Sequence, residues 1–483
     1  MAASGADDES GSSYDVLVLG AGPGGENVAD RARAAGLSAA VVESELAGGE
    51  CSYWACMPSK ALLRPVTARA DARHTPGLRG GAVPLDIEDV FGHRDAQASH
   101  WQDDGQAAWL ASAGIDLVRG HGRLSGPRQV TVTQEDGTVR RLSAQQAVVV
   151  VTGSRAVVPD LPGVADARPW TSREATSAAR VPESLVVVGG GVVGVEMATA
   201  WAGLGSRVTL VARGSGLLPR MEPFAGERVA DALRAAGADV RVGVSVTEVA
   251  RARPDGPVTV RTDDGQEVEA DEVLFATGRA PRTEDLGLET VGLEPGSWLT
   301  VDDTLCVTDV EGGWLYAVGD VNHRALLTHQ SKYQARIAGA AIAARAQGAV
   351  TTDAWGAHSA TADHHAVPQV VFTDPEVTAV GLTAAEAERA GRRVRAVDYD
   401  MAHVAAAGLT RDDYAGRARL VVDVEREVVV GATFVGPGLA ELLHSATIAV
   451  VGEVPLSRLW HAVPSYPTLS EVWLRLLETY RDS

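Results

Sequence analysis

The sequence predicts an α/β chain with two doubly wound, Rossmann-like domains followed by a smaller α+β domain. A strand, a glycine-rich turn, a helix-like stretch and a second strand occur in that order twice, starting at Val16 and again at Leu185. Beyond residue 366 the pattern changes. Short apolar runs such as Leu420-Val421-Val422 and Val428-Val429-Val430 read as antiparallel strands, with helical stretches around 438–451 and 469–480.

Bulk properties agree. A chain of 483 residues has room for roughly three domains of about 150 residues each. A hydrophobic content of 45% suffices for large cores. No apolar run reaches the roughly 18 residues that suggest a membrane span. Residues 1–13 are small, polar and acidic and lack the plan of a signal peptide, so a disordered tail is expected there. The net charge of -20 argues against nucleic acid or an anionic membrane as partner. Three cysteines do not make a secreted disulfide scaffold. The cytoplasm is the expected compartment, where a disulfide is more often catalytic than structural.

The first unit runs from the buried-strand pattern Val16-Leu17-Val18-Leu19 into Gly20-Ala21-Gly22-Pro23-Gly24-Gly25. A helix-like stretch follows from Glu26 to Ala35, then a strand from Ala39 to Val42 that ends in Glu43. Gly20 permits the tight turn, Gly22 lets a pyrophosphate approach the backbone, and Gly25 lets helix pack on strand. Glu43 is placed to accept hydrogen bonds from a ribose. The second unit repeats the plan. Leu185-Val186-Val187-Val188 leads into Gly189-Gly190-Gly191-Val192-Val193-Gly194, a helix-like stretch to Gly205 and the strand Val208-Thr209-Leu210-Val211. Two fingerprints imply two dinucleotides.

Two of the three cysteines, Cys51 and Cys56, stand in Gly49-Glu50-Cys51-Ser52-Tyr53-Trp54-Ala55-Cys56-Met57-Pro58-Ser59-Lys60, a run that reads as a helix start. Unpaired N–H groups and the positive dipole end at such a start lower a thiol's pKa, and the thiolate is the reactive form. One reading is a disulfide that opens and closes during turnover; the other is two buried, inert cysteines. Their position soon after the first fingerprint favours the former. It suggests that the dinucleotides are a flavin and a nicotinamide that reduces it.

With these motifs in view the chain resembles the pyridine nucleotide–disulfide oxidoreductases, which include dihydrolipoamide dehydrogenase, glutathione reductase and mercuric reductase. The Cys51/Cys56 run resembles the redox motif of that family. Thr152-Gly153-Ser154, Ala276-Thr277-Gly278-Arg279 and Tyr316-Ala317-Val318-Gly319-Asp320 resemble its later flavin-domain signatures. Val371-Phe372-Thr373-Asp374-Pro375-Glu376 resembles the start of its dimerisation domain, and Tyr466-Pro467-Thr468-Leu469-Ser470-Glu471 its final motif. The resemblance implies an FAD domain at 14–152 and 276–350, an NAD(P)H domain at 153–275, a linker at 351–366 and a dimerisation domain at 367–483. It implies a homodimer. Thr152, Gly153, Asp320 and Thr328 would join Gly20, Gly22, Gly25 and Glu43 around FAD, with Asp320 on the ribityl chain and Thr328 at a helix start aimed at the flavin. Gly189, Gly191 and Gly194 would serve the nicotinamide coenzyme, and Gly278, within a flavin-domain signature, would also contact a cofactor.

Lys60 and Lys332 are the only lysines; every other basic residue among the 43 is arginine. A genome so biased toward arginine should have converted most replaceable lysines, and lysine differs from arginine as a compact, tunable point charge. The resemblance pairs Lys60 with Glu196 beside the flavin. Lys332 has no motif and receives no role.

Coenzyme preference rests on the end of the second unit. An acid there holds the ribose 2′-hydroxyl of NAD. Here Ala212 and Arg213 follow Val211, with Arg220 nearby. This favours a 2′-phosphate, hence NADPH, although Gly194 pulls toward NADH.

Two departures bear on the reaction. The family carries a histidine at the position of Tyr466, where it acts across the dimer with the glutamate matching Glu471. Tyrosine and histidine differ by roughly 3.5 pKa units, about 5 kcal/mol of proton affinity. Tyr466 is therefore no ordinary base near neutral pH, but it can donate a proton or hydrogen bond; His461 is the nearest substitute in sequence. Between the cysteines, Tyr53 and Trp54 replace small or amide residues and either reshape the substrate side or pack inside. The expectation is an FAD-dependent NAD(P)H oxidoreductase with a redox-active Cys51–Cys56 disulfide, acting on a small disulfide or dithiol. A mercuric reductase and a quinone reductase are alternatives, the former opposed by the lack of a terminal cysteine pair. A slowly turning redox sensor that binds FAD is an alternative of another kind. No metal site is expected.

Overall fold

The computed structural model describes residues 12–78 and 84–482. Most of the expected tail, residues 1–11, lies outside the described residues. Ser12 and Ser13 already belong to the strand Ser12–Leu19, so this strand starts before the expected boundary at residue 14. The chain divides into two compact units, and the cysteine run crosses from one to the other between Tyr53 and Trp54.

The first unit comprises Met1–Tyr53, Ala98–Arg155 and Arg279–Asp363. Ser12–Leu19 lies between Ala39–Glu43 and Val139–Val150 and runs parallel to both. Val16 to Leu19 are buried because both faces of the sheet are covered, which is why they read as one continuous apolar run. Asp116–Arg119 extends the sheet on one side, and the antiparallel strands Gln129–Thr133 and His121–Gly126 extend it on the other. Leu315–Ala317 returns parallel to Val139–Val150, with Ala317 opposite Val150 and Val150 opposite Leu19. That register brings Gly20, Thr152 and Asp320 out at the carboxyl ends of neighbouring strands, where open α/β sheets bind ligands. The helices Pro23–Ala34 and Thr328–Ala346 pack closely; a Cβ on Gly339 would fall 2.5 Å from that of Arg31.

The second unit comprises Trp54–Gln97, Ala156–Gly278 and His364–Ser483. Its parallel sheet orders Asp239–Val242, Arg207–Ala212, Ser184–Val188 and Glu272–Phe275. The helix Val192–Leu204 is apolar almost all round, as a helix buried on several sides must be. Part of its cover is the helix Cys56–His74, admitted where Gly203 meets Val66. Trp201, fully buried, packs against Trp170 and Phe91. The last third forms an antiparallel sheet ordered Gln369–Val371, Glu376–Gly381, Val428–Gly436, Arg417–Asp423 and Val394–Asp400. The helix Val472–Asp482 covers it, setting Trp473 on Phe434.

The element boundaries differ in places from those expected. The first helix starts at Pro23 rather than Glu26, since proline's fixed φ suits a first helical position. Short 3-10 turns, Ala440–Leu442 and Leu469–Glu471, occupy the expected first turns of the last two long helices. Thr328 is the first residue of the helix Thr328–Ala346, with Leu327 as its N-cap. The stretch 351–366 does more than connect. Its Asp363 carboxylate is fully buried and accepts hydrogen bonds from Gln330 and Gln334, while Gln334 accepts one from the Gly319 N–H.

Candidate active site

The first glycine turn is held by contacts that leave no room for side chains. Gly20 has φ +106, and a Cβ on it would fall 2.5 Å from the Val151 carbonyl oxygen. A Cβ on Gly25 would fall 1.9 Å from the Gly20 oxygen. Nothing lies within 4 Å of where a Gly22 Cβ would be, so the helix N-terminus opens onto clear space. Glu43 accepts hydrogen bonds from the N–H groups of Ala21 and Glu45, which fix its carboxylate beside the turn. Two buried oxygens here, Thr152 Oγ1 and Glu26 Oε1, have no hydrogen-bond partner among the described residues. Burial pushes the Glu26 carboxyl up to about 7, against the pull of Lys332 and with the push of Glu43.

The short helix Gly49–Tyr53 is seated on this turn. The Gly48 N–H donates to the Ala21 oxygen, and a Cβ on Gly49 would fall 2.9 Å from the Gly22 Cα. Cys51 rides on that helix, half-buried. Tyr53 is packed inside, its hydroxyl donating to the Ala47 carbonyl at 2.8 Å. Burial, the largest cause, pushes its phenol up to about 12, so it stays a neutral donor. Asp320 follows Gly319, whose φ of +80 turns the chain. Its carboxylate accepts from the Ser154 hydroxyl at 2.5 Å, and Arg279 Nε stands 3.8 Å away. Burial pushes the Asp320 carboxyl up, and the Ser154 hydrogen bond opposes this. Gly153, at φ +72, accepts from the Arg282 N–H.

In the second unit Cys56 is the first residue of the helix Cys56–His74, at the positive end of its dipole. One turn on, Lys60 Nζ donates to Glu196 Oε2 at 2.7 Å. Glu196 is buried, and its other oxygen accepts from the Phe372 N–H at 3.0 Å. The ammonium also lies 5.0 Å from the centre of the Phe372 ring. One carboxylate thus fixes three distant stretches of chain. The second glycine turn copies the first. A Cβ on Gly189 would fall 2.3 Å from the Ala276 oxygen, one on Gly194 1.9 Å from the Gly189 oxygen, and Gly191 faces open space. Gly278, at φ +145, accepts from the Val157 N–H. Arg213 and Arg220 are exposed just past the strand Arg207–Ala212 and have no ion-pair partner among the described residues.

This doubled cradle fits two dinucleotides. The family described as pyridine nucleotide-disulphide oxidoreductase matches residues 14–348, and its dimerisation domain matches 367–476. The chain belongs to this oxidoreductase family. It is a flavoprotein disulfide oxidoreductase of a homodimeric family that uses FAD and NAD(P)H. The dihydrolipoyl dehydrogenase of Haloferax volcanii is 34% identical over 475 residues, covering 96% of this chain and 95% of that protein. That of Chlorobaculum tepidum is 32% identical over 466 residues, covering 95% of each. Among solved structures, LpdA from Mycobacterium tuberculosis has a TM-score of 0.81 at 25% identity, covering 97% of this chain and 99% of that one. The HOCl-induced flavoprotein disulfide reductase RclA from Escherichia coli shares the fold, with TM-score 0.81 at 23% identity over 96% of this chain and 99% of that one.

In this pyridine nucleotide-disulphide oxidoreductase, Gly20 and Gly189 turn the chain at positive φ, Gly22 and Gly191 are helix N-caps, and Gly25 and Gly194 lie in the first turns of those helices. Tyr466 is exposed, and its hydroxyl makes no hydrogen bond among the described residues. Glu471 is buried; Oε1 accepts from Arg475 at 2.6 Å, and Oε2 has no partner among the described residues. His461 is exposed. Cys306 is buried with Arg345 Nη1 3.2 Å from its sulfur, and burial pushes its thiol up. Among the described residues no helix is long and apolar enough to cross a membrane, and no group of three His, Cys, Asp or Glu side chains is placed to hold a metal. Sequence reasoning missed Ser154, Phe372 and Glu26. Ser154 and Phe372 lie inside quoted motifs, where their neighbours drew the attention. Glu26 lies one residue past a fingerprint, at a position where Val195 shows an apolar residue also serves.

Proposed function

We propose that the chain catalyses NAD(P)H-dependent reduction of a small disulfide, or the reverse oxidation of a dithiol, through a Cys51–Cys56 disulfide. The observation that carries this reading is the Lys60–Glu196 pair. It fixes a compact cation one helical turn from Cys56, and Phe372 and a buried carboxylate hold that cation in place. FAD, when bound, relays two electrons from the nicotinamide to the disulfide. Gly20, Gly22, Gly25, Glu43, Thr152, Gly153, Asp320 and Thr328 would hold it. The unpartnered Thr152 hydroxyl and the open face of Gly22 support that placement. Gly189, Gly191, Gly194 and Gly278 would hold the coenzyme, with Arg213 and Arg220 on a 2′-phosphate, which makes NADPH the preferred reductant.

In the reductive direction NADPH and a proton enter, and one substrate disulfide leaves as two thiols. The Cys51 thiolate attacks a substrate sulfur, forming a mixed disulfide and expelling the first thiolate. Cys56 then attacks Cys51, which expels the second and restores the Cys51–Cys56 bond. Each departing thiolate takes a proton. Tyr466 of the partner subunit would donate it or a hydrogen bond, with the partner's Glu471 beside it. The cytoplasm is the compartment where such a cycle finds its reductant.

Two measurements test this. Thiols titrated in denaturant should number one before anaerobic NADPH addition and three after; no increase would mean that the cysteines take no part. Turnover of oxidised glutathione or lipoamide should be slow and should rise in Tyr466→His. General acid–base catalysis contributes roughly 10²- to 10⁴-fold, which bounds the gain. Quinone reduction, which needs no thiol protonation, should not change in that variant. Fast wild-type turnover of lipoamide would show that another group supplies the proton, and His461 would be the first to replace.

A further inference from the structure

Asp363 belongs to the first unit, and its side chain is wholly buried. Its Oδ1 accepts from Gln330 Nε2 and its Oδ2 from Gln334 Nε2, each at 2.8 Å. Both glutamines stand on the helix Thr328–Ala346, one turn apart, and both are buried. The Gln334 oxygen accepts from the Gly319 N–H at 2.7 Å and from Asn322 Nδ2 at 2.8 Å. Asn322 Nδ2 also donates to the Ala317 carbonyl. Arg324 brings the opposite charge, with Nη1 3.7 Å from Asp363 Oδ2 and Nη2 3.0 Å from Asp303. These contacts close around the bend at Gly319, whose φ of +80 turns the chain into Asp320.

We propose that Gln334 is a positioning residue for FAD: anchored on Asp363, it holds the Gly319 bend and so aims Asp320 at the ribityl chain. This rests on the placement of Asp320 on FAD proposed above and goes beyond it by assigning what fixes that carboxylate. A carboxylate only accepts hydrogen bonds, whereas a primary amide accepts at one end and donates at the other. Gln334 meets both demands, turning its NH₂ group to the Asp363 carboxylate and its oxygen to the Gly319 N–H. A carboxylate at 334 fails at the first demand, and a hydrocarbon fails at both. Gly319 has no side chain of its own to brace the bend, so neighbouring groups must hold it.

The test titrates the full chain, stripped of its flavin, with FAD and with ADP. ADP shares the adenosine and pyrophosphate but lacks the ribityl chain and ring. Gln334→Leu should weaken FAD binding roughly tenfold, the size of one hydrogen bond, and ADP binding by less than about twofold. Gln334→Glu sets two buried carboxylates against each other, which one shared proton reconciles. That variant should bind FAD like wild type at about pH 6 and roughly tenfold more weakly at about pH 9. Adding Asp363→Asn restores a donor opposite the new acceptor, so the double variant should match wild type at both pH values. Tm reports whether each variant folds; should Gln334→Leu fail to fold, the pH series decides. Equal weakening of FAD and ADP overturns the proposal. So does FAD affinity within about twofold of wild type in Gln334→Leu, or a Gln334→Glu pH profile parallel to wild type. Asp320→Asn separates the proposal from the reading beneath it. If that variant binds FAD like wild type, the placement of Asp320 fails and the proposal with it. If it weakens FAD while Gln334→Leu does not, only the proposal fails.

Discussion

At the first glycine turn a Cβ on Gly25 would lie 1.9 Å from the Gly20 carbonyl oxygen; at the second, one on Gly194 would lie 1.9 Å from the Gly189 oxygen. Gly22 and Gly191 both face open space. The side chains around this common frame differ in charge. Glu26 stands at the position Val195 holds in the other turn, and Glu43 ends the strand that Ala212 ends there, with Arg213 following. The first turn is thus acidic and the second basic. On the proposed reading, the backbone would admit a pyrophosphate at both turns and the flanking charges would set which dinucleotide each one takes.

The largest effect expected from breaking this parallel is steric. Gly25→Ala should cost about 3 kcal/mol of stability, because the added methyl must displace backbone. Gly22→Ala should leave stability within about 0.5 kcal/mol while lowering flavin content. Thermal melts and the flavin-to-protein absorbance ratio check both.

Glu26 has no ionisable counterpart in the second turn. Its folded pKa, about 7, lies above the ordinary 4.5. Between those values the folded protein holds a proton that the unfolded chain has released, so stability falls as pH rises through that window. Glu26→Gln should remove on the order of 1–3 kcal/mol of that slope. Melting temperatures of both proteins from pH 4 to pH 8 are the readout, and parallel profiles would contradict the assignment.

Coenzyme choice follows next in size. Arg213→Glu gives the second turn the charge of the first. It should shift the kcat/KM preference from NADPH toward NADH by at least about tenfold, or about 1.4 kcal/mol. A wild type that already prefers NADH would make Gly194 the better guide. The smallest effect belongs to Glu43→Gln, which keeps its shape but loses charge-assisted contacts to the Ala21 and Glu45 N–H groups. About 1 kcal/mol of FAD affinity is expected to go with them, measured by flavin release in mild denaturant.

Much of this was legible in the sequence because period and glycine placement are local signals. Val16 to Leu19 read as a strand buried on both faces, and Gly20, Gly22 and Gly25 read as a turn, without any knowledge of distant contacts. The pairing of Lys60 with Glu196 needed the family resemblance, since 136 residues separate them. What stayed hidden depends on three-dimensional register. Asp363 looked like part of a polar linker, yet it is buried and reaches the Gly319 N–H through Gln334. Nothing in the local pattern joins Arg173 to Trp54, because helix anchoring by Arg94 and Thr176 creates that contact.

The Lys60–Glu196 pair also has a practical consequence for labelling. Amine-directed reagents find only two lysine side chains here, and Glu196 holds the Lys60 ammonium while Lys332 is exposed on the helix Thr328–Ala346. An acylating dye applied briefly should therefore mark one lysine, at a known place. That gives a spectroscopic reporter beside Glu26 and the first glycine turn without engineering a new cysteine.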